Sequence, residues 1–102
     1  MSDIKQAREV LVKRILEGTG IASLSQRREA FENRDLTRPL DALVDKVAMH
    51  AYMVTDEDIN VAKEGGFSED TIFEIVVCAA VGQASRQHDA ALAALEAADP
   101  ED

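Results

Sequence analysis

Apolar residues recur at helical spacing along most of the chain, and glycines and polar caps divide this pattern into five segments. The first predicted helix covers residues 3–17 and ends at Gly18, because glycine adopts the left-handed C-terminal conformation without a Cβ clash. The second is predicted to begin at a cap on Ser23 or Ser25 and to run to about Asn33. Both segments are short and amphipathic.

Three further helices are predicted in the rest of the chain. Pro39 suits the first turn of the third helix, where its missing N–H is no loss. Thr55 caps the fourth helix, which Gly65 and Gly66 end. Ser68 caps the last helix, which extends over residues 69–97. The inner face of the third helix is predicted to consist of Leu40, Leu43, Val44, Val47 and Ala51.

The last predicted helix contains the most apolar stretch of the chain, Ile75 to Gly82, which reads IVVCAAVG. A helix that is apolar all round is expected to be buried on every side. A chain of this length offers few internal partners, so part of the helix is predicted to lie in a subunit interface. Ala79, Ala80 and Gly82 would allow another helix to approach closely. The tail, residues 99–102, is expected to fray.

The absence of strand-like alternation makes the fold class all-α, and 102 residues suit one domain. The formal net charge of −9 disfavours binding to nucleic acid or to anionic membranes. The start of the chain lacks a basic region followed by an apolar stretch, and no apolar run approaches ~20 residues, so a cytoplasmic protein is expected. The single cysteine, Cys78, excludes an internal disulfide and disfavours a thiolate zinc site.

The segment around Gly66 has two possible interpretations. Ala62, Gly66 and Ile72 have the spacing of a DNA-binding helix-turn-helix. The second helix of that motif would begin with Glu69 and Asp70, whose carboxylates repel phosphates. No basic residue follows before position 86, so DNA binding is the least favoured function.

A family resemblance gives the second interpretation. Residues 54–80 read VTDEDINVAKEGGFSEDTIFEIVVCAA, and a long alanine-rich helix follows with Arg86 and the closing ALAAL. This resembles the helical core of the alkylhydroperoxidase (AhpD)/carboxymuconolactone decarboxylase family over about residues 40–95. The resemblance implies an AhpD-like helical domain that ends in a long buried helix. It divides the domain, residues 1–102, into N-terminal helices at 1–38 and a family-like core at 39–98.

The resemblance also implies a chemistry whose residues are missing. Redox members carry C-x-x-C-x-x-x-H directly before the A-x-x-x-G of the core, and those three groups would fall on Ala51, Val54 and Asp58. The upstream acid has only Asp41 and Asp45 nearby. A paired thiol is needed because a second cysteine must resolve the oxidised first one. Peroxidase activity by the family mechanism is therefore not expected.

Three residues remain as weak catalytic candidates: His50, Cys78 and His88. Cys78 shares a helix face with Glu74, and both burial and a neighbouring carboxylate raise a thiol pKa, so a buried hydrophobic role is favoured. Each histidine lies on an apolar face and is interpreted as a core or interface residue, with proton transfer or metal binding as the alternative. Met49, Tyr52 and Met53 would fill core space or line a small-molecule pocket.

The leading functional hypothesis is a non-redox AhpD-like protein that acts as a binding, accessory or pseudoenzyme oligomer. The resemblance implies a homo-oligomer, a trimer or hexamer. One alternative is a small-molecule enzyme of the alkylhydroperoxidase or decarboxylase type with an unrecognised site. The other is a helical interaction module of a larger complex. No cofactor, metal, nucleic acid or membrane partner is predicted.

Overall fold

The computed structural model describes residues 2–98, and this part of the chain contains helices and no strands. The helices are α1 (Ser2–Glu17), α2 (Leu24–Glu32), α3 (Leu40–His50), a 3-10 turn (Ala51–Met53), α4 (Asp56–Glu64) and α5 (Glu69–Ala97). The all-α class and the bounds of the long last helix are confirmed. The expectation that residues 99–102 fray falls outside the described residues.

Side-chain caps begin three of the helices and explain where they start. The Ser23 hydroxyl accepts from the Gln26 N–H, so the first of the two candidate serines caps α2. The Thr55 hydroxyl accepts from the N–H of Asp58, and Ser68 caps α5 in the same way. These bonds satisfy N–H groups that have no partner within the helix.

The core lies where α2 and α3 cross the first half of α5. Its largest completely buried side chains are Leu40, Val44, Ile75 and Cys78. Helix α1 packs against α2 and along one side of α5. Helices α1 and α2 therefore pack on α5 of the same chain. The sequence alone left open whether these N-terminal helices pack on their own domain or on a neighbouring molecule.

Helices α2 and α5 approach each other closely in this core. Gly82 lies directly against the backbone of Phe31, and a Cβ at Gly82 would overlap the Phe31 carbonyl oxygen. Ala79 is fully buried in the same core, whereas Ala80 is exposed. The prediction that these small residues receive a helix of another subunit is wrong for Gly82, because α2 of the same chain occupies that place.

Burial of α5 is confined to one side of the helix. Ile72, Ile75 and Ala79 face the core, while Val77 and Val81 on other sides are only half-buried. The prediction that the apolar middle is buried on every side therefore does not hold within one chain. Beyond residue 85 every position of α5 is exposed.

Candidate functional site

Two oppositely charged side chains hold the connection between α1 and α2. Arg27 is only 6% exposed, and it donates from Nε to the Ala22 carbonyl oxygen (3.0 Å) and from Nη1 to that of Gly18 (2.6 Å). The Glu74 carboxylate accepts from the backbone N–H groups of Ile21 (2.9 Å) and Ala22 (2.8 Å). Backbone carbonyl groups of this connection thus accept hydrogen bonds from the guanidinium, and backbone N–H groups of the connection donate to the carboxylate, as buried polar groups require.

A cavity of about 180 Å³ opens beside this connection. Helices α1, α2 and α5 and the residue Thr19 form its walls. It is lined by Arg14, Ile15, Thr19, Arg27, Phe73, Glu74, Val77 and Cys78. The cavity brings a thiol, two guanidinium groups and a carboxylate around one small space.

Cys78 is the only sequence-derived candidate among the residues that line this cavity. It is 1% exposed, and its Sγ lies 3.9 Å from the Ile15 carbonyl oxygen. Burial raises the pKa of the Cys78 thiol to about 11; the positive charge of Arg27 lowers this pKa and the negative charge of Glu74 raises it. The predicted burial and the predicted direction of the Glu74 effect are confirmed. The neutral thiol is a poor nucleophile.

We expect Cys78 to react slowly with iodoacetamide in the folded protein. A pKa of about 11 leaves roughly one thiol in a thousand ionised at pH 8, whereas a free cysteine with a pKa of ~8.5 is about one quarter ionised. The labelling rate, followed by mass spectrometry, should therefore rise at least ~100-fold in urea. The unfolded thiol ionises first as the pH rises, so Cys78 should also destabilise the fold from about pH 9 upward. Rapid labelling of the folded protein at neutral pH would contradict this picture.

The three positions at which the sequence resemblance would place redox groups have other roles. Ala51 begins the 3-10 turn after α3, and Val54 packs against the core. Asp58 binds the Thr55 N–H (2.8 Å) and the Lys46 ammonium (2.9 Å). The Thr55 N–H and then Lys46 hold the pKa of Asp58 below its ordinary value. Asp58 therefore completes the cap of α4 as a carboxylate and is not placed as a proton donor at neutral pH.

The two histidines are exposed, which corrects their interpretation as core residues within the chain. The His50 ring lies edge-on to Tyr52 with 6.3 Å between ring centroids. His88 Nδ1 lies 3.3 Å from Arg8 Nη1 and 4.0 Å from a carboxylate oxygen of Asp89. Neither histidine lines the cavity, so the structure does not bring them together with Cys78 there.

The predicted cluster at the end of α3 is also on the surface. Tyr52 is 85% exposed, and Met49 and Met53 are about half exposed. The prediction that these side chains fill core space or line a pocket is therefore wrong for the single chain.

A long apolar surface lies on α5 opposite the core, and we call it the outer stripe. It consists of Phe73, Val77, Ala80, Ala84, His88, Ala91 and Leu95. Phe73 and Leu95 are 69% and 67% exposed, and only Val77 is half-buried. Contiguous exposed apolar surface of this kind marks an interaction site more often than isolated apolar residues do.

Sequence reasoning missed the basic part of the cavity. Arg27 lies three residues before Ala30, which is fully buried, so the helical period places the arginine on the inner face of α2. An arginine on an inner face must donate hydrogen bonds to buried acceptors, so the position of Arg27 could have indicated a buried polar site. Arg14 and Thr19 gave no such signal because their place on the cavity wall depends on how α1 packs against α5.

No protein-family model, curated protein or solved structure matches this chain. Among residues 2–98, no three His, Cys, Asp or Glu side chains converge as they would around a metal ion. No helix in this part of the chain is both long enough and apolar enough to cross a membrane.

Proposed function

We propose that this protein is a non-redox, AhpD/carboxymuconolactone decarboxylase-like protein that acts as a binding or accessory oligomer, in effect a pseudoenzyme. The motif of residues 54–80 and the long last helix support the family assignment. Ala51 and Val54 cannot form a disulfide, and Asp58 is committed to a helix cap. On this proposal, the chain keeps the helical scaffold of the family and lacks the residues of its redox reaction.

The state of Cys78 is the observation that carries this proposal. Reduction of a hydroperoxide by a thiol pair requires a thiolate that attacks oxygen and a second thiol that resolves the oxidised sulfur. The chain has one thiol, and burial keeps that thiol neutral. A one-cysteine route would need access for the peroxide and ionisation of the thiol, and the packing around Cys78 opposes both.

The oligomer is the second part of the proposal. The family resemblance implies a trimer or hexamer, and the outer stripe of α5 is an exposed surface suited to contact with another helix. We place the oligomer in the cytoplasm, with no nucleic acid or membrane as partner, on the grounds of its charge and sequence pattern. Association would also add stability to a core that is modest in a chain of this size.

A small-molecule enzyme is the second candidate function, and the cavity beside Cys78 is the observation that favours it. Arg14 and Arg27 supply positive charge and Glu74 supplies a carboxylate on the same wall. An interaction module of a larger complex, docked through the outer stripe, is the third candidate.

A turnover assay tests the proposal directly. Purified protein is supplied with hydroperoxide and dithiol, beside Cys78→Ser and Cys78→Ala. We expect all three to match the dithiol alone. Turnover in the natural protein that both variants lose would overturn the non-redox proposal and support the enzyme candidate. Serine and alanine are paired because the serine hydroxyl would have to find a partner in the core, whereas alanine removes the thiol without adding a polar group.

A further inference from the structure

We infer that the cavity beside Cys78 binds a small monocarboxylate whose body is apolar and about the size of a benzene ring. The inference rests on the proposed binding role and names the chemical class of the ligand. Arg27 binds the carboxylate of this ligand, and the apolar side chains of the cavity wall contact its body.

One nitrogen of the Arg27 guanidinium is left over for a ligand. A guanidinium has several N–H donors, and those on Nε and Nη1 reach the carbonyl oxygens of Ala22, Ile15 and Gly18. Within residues 2–98, Nη2 has no hydrogen-bond partner, yet no side-chain nitrogen or oxygen there is both sealed from solvent and unpartnered. Nη2 therefore faces accessible space, and the cavity that Arg27 lines supplies that space.

The positive charge of Arg27 has no ion-pair partner in the part of the chain that the structure describes. Glu74 lies on the same cavity wall, but its oxygens accept from the backbone N–H groups of Ile21 and Ala22, and it forms no ion pair with the guanidinium. A charge that is 6% exposed is costly to bury unless an opposite charge meets it. Arg14, which is exposed, adds a second positive charge to the wall. The cavity of this acidic chain therefore favours an anion over a cation.

The rest of the cavity wall is apolar, and this selects the kind of anion. Ile15, Phe73 and Val77 line the cavity together with the neutral thiol of Cys78. Inorganic phosphate has oxygens on every side and would leave some of them against these groups without hydrogen bonds. A carboxylate confines its charge to one end of a molecule, so the other end can contact the apolar side chains. An apolar cavity of about 150 Å³ can hold benzene, so one of about 180 Å³ has room for a ring of that size.

Titration of the isotope-labelled natural protein with benzoate, followed by NMR at constant ionic strength, tests the inference. We expect saturable shifts of the Arg27 side-chain signals and of the amide signals of Thr19 and Cys78. Benzyl alcohol has the same ring without the charge. It should bind at least ~10-fold more weakly, because hydrogen bonds to a charged group contribute more than those between neutral groups. Inorganic phosphate at equal concentration should not displace benzoate.

Two pairs of variants place the binding in the cavity and leave Arg27 intact. Val77→Phe fills part of the space and should weaken benzoate binding at least ~10-fold, since the ring of the ligand loses its place. Ala80→Phe is the matched control, because Ala80 is exposed on α5 and does not line the cavity. Arg14→Gln should weaken binding by a few-fold, as expected for an exposed charge, whereas Lys13→Gln, its exposed neighbour on α1, should not change it. Circular dichroism confirms that each variant is folded.

Four results would overturn the carboxylate site. Benzoate could give no saturable shift, benzyl alcohol could bind equally well, phosphate could displace benzoate, or Val77→Phe could leave the binding intact. The second result would mean a purely apolar cavity, the third a general oxyanion site, and the fourth a ligand bound elsewhere. None of them bears on the non-redox assignment, which the turnover assay tests separately. Conversely, hydroperoxide turnover that depends on Cys78 would remove the non-redox proposal even if benzoate bound.

Discussion

Replacing Gly82 with alanine should lower the free energy of unfolding by about 2–4 kcal/mol. Alanine in a helix is more favourable than glycine by ~1 kcal/mol, so local propensity alone would make this change stabilising. The new Cβ, however, would overlap the carbonyl oxygen of Phe31, which belongs to the backbone of α2. The whole of α2 would have to move away from α5, and the buried contacts of Ala30 and Ala79 would loosen with it.

Urea unfolding at a fixed protein concentration measures this effect, since association would add its own contribution to stability. Gly66→Ala is the matched control. Gly66 has a φ of 101° but nothing within 4 Å of a new Cβ, so the control carries backbone strain without a clash and should cost about 1–2 kcal/mol. If Gly82→Ala proved neutral or stabilising, the close α2–α5 contact would be absent in solution.

Gly82 also shows which features of the fold cannot be predicted from the sequence. Helix bounds and caps are local properties, so Ser68 and the length of α5 could be predicted from adjacent residues. A small residue in a helix indicates that something approaches closely, but the spacing does not identify the approaching helix. The sequence prediction assigned Gly82 to another subunit, and the structure shows α2 in that place.

The outer surface of α5 shows a second feature that could not be predicted from the sequence. His88 was interpreted as a core or interface residue because its neighbours at helical spacing are apolar. The core alternative is wrong, because the core lies on the other side of the helix. An apolar stripe in a sequence does not identify which face of the helix packs within the chain. The core alternative is also wrong for His50, which ends α3 on the exposed side.

The candidate site was predictable only in part. The burial of Cys78 followed from the apolar residues around it in the sequence. The cavity beside it did not, because Arg14, Arg27 and Glu74 come from three helices and meet only when these pack. Charged residues distant in sequence carry no pairwise signal in a single chain, so their convergence depends on tertiary structure.

Arg27→Met should be the most destabilising change on α2, with a loss of about 3–4 kcal/mol in the free energy of unfolding. Methionine keeps much of the side-chain volume but removes the donors to the carbonyls of Gly18 and Ala22. Each buried acceptor that loses its partner costs about 1–3 kcal/mol. The Glu74 carboxylate would also lose the nearby positive charge while it still binds the amides of the same connection.

Arg28→Met is the control for this prediction, because Arg28 is the next residue on α2 and is exposed. Its loss should change stability by less than ~0.5 kcal/mol. Arg27→Lys should fall between the two, since one ammonium keeps the charge but cannot reach both carbonyls with the geometry of the guanidinium. Equal unfolding midpoints in urea for the methionine variants at 27 and 28 would show that Arg27 does not hold the connection. In that case the cavity wall formed by Thr19 would have no fixed support, and the binding of a small ligand beside Cys78 would lose its structural basis.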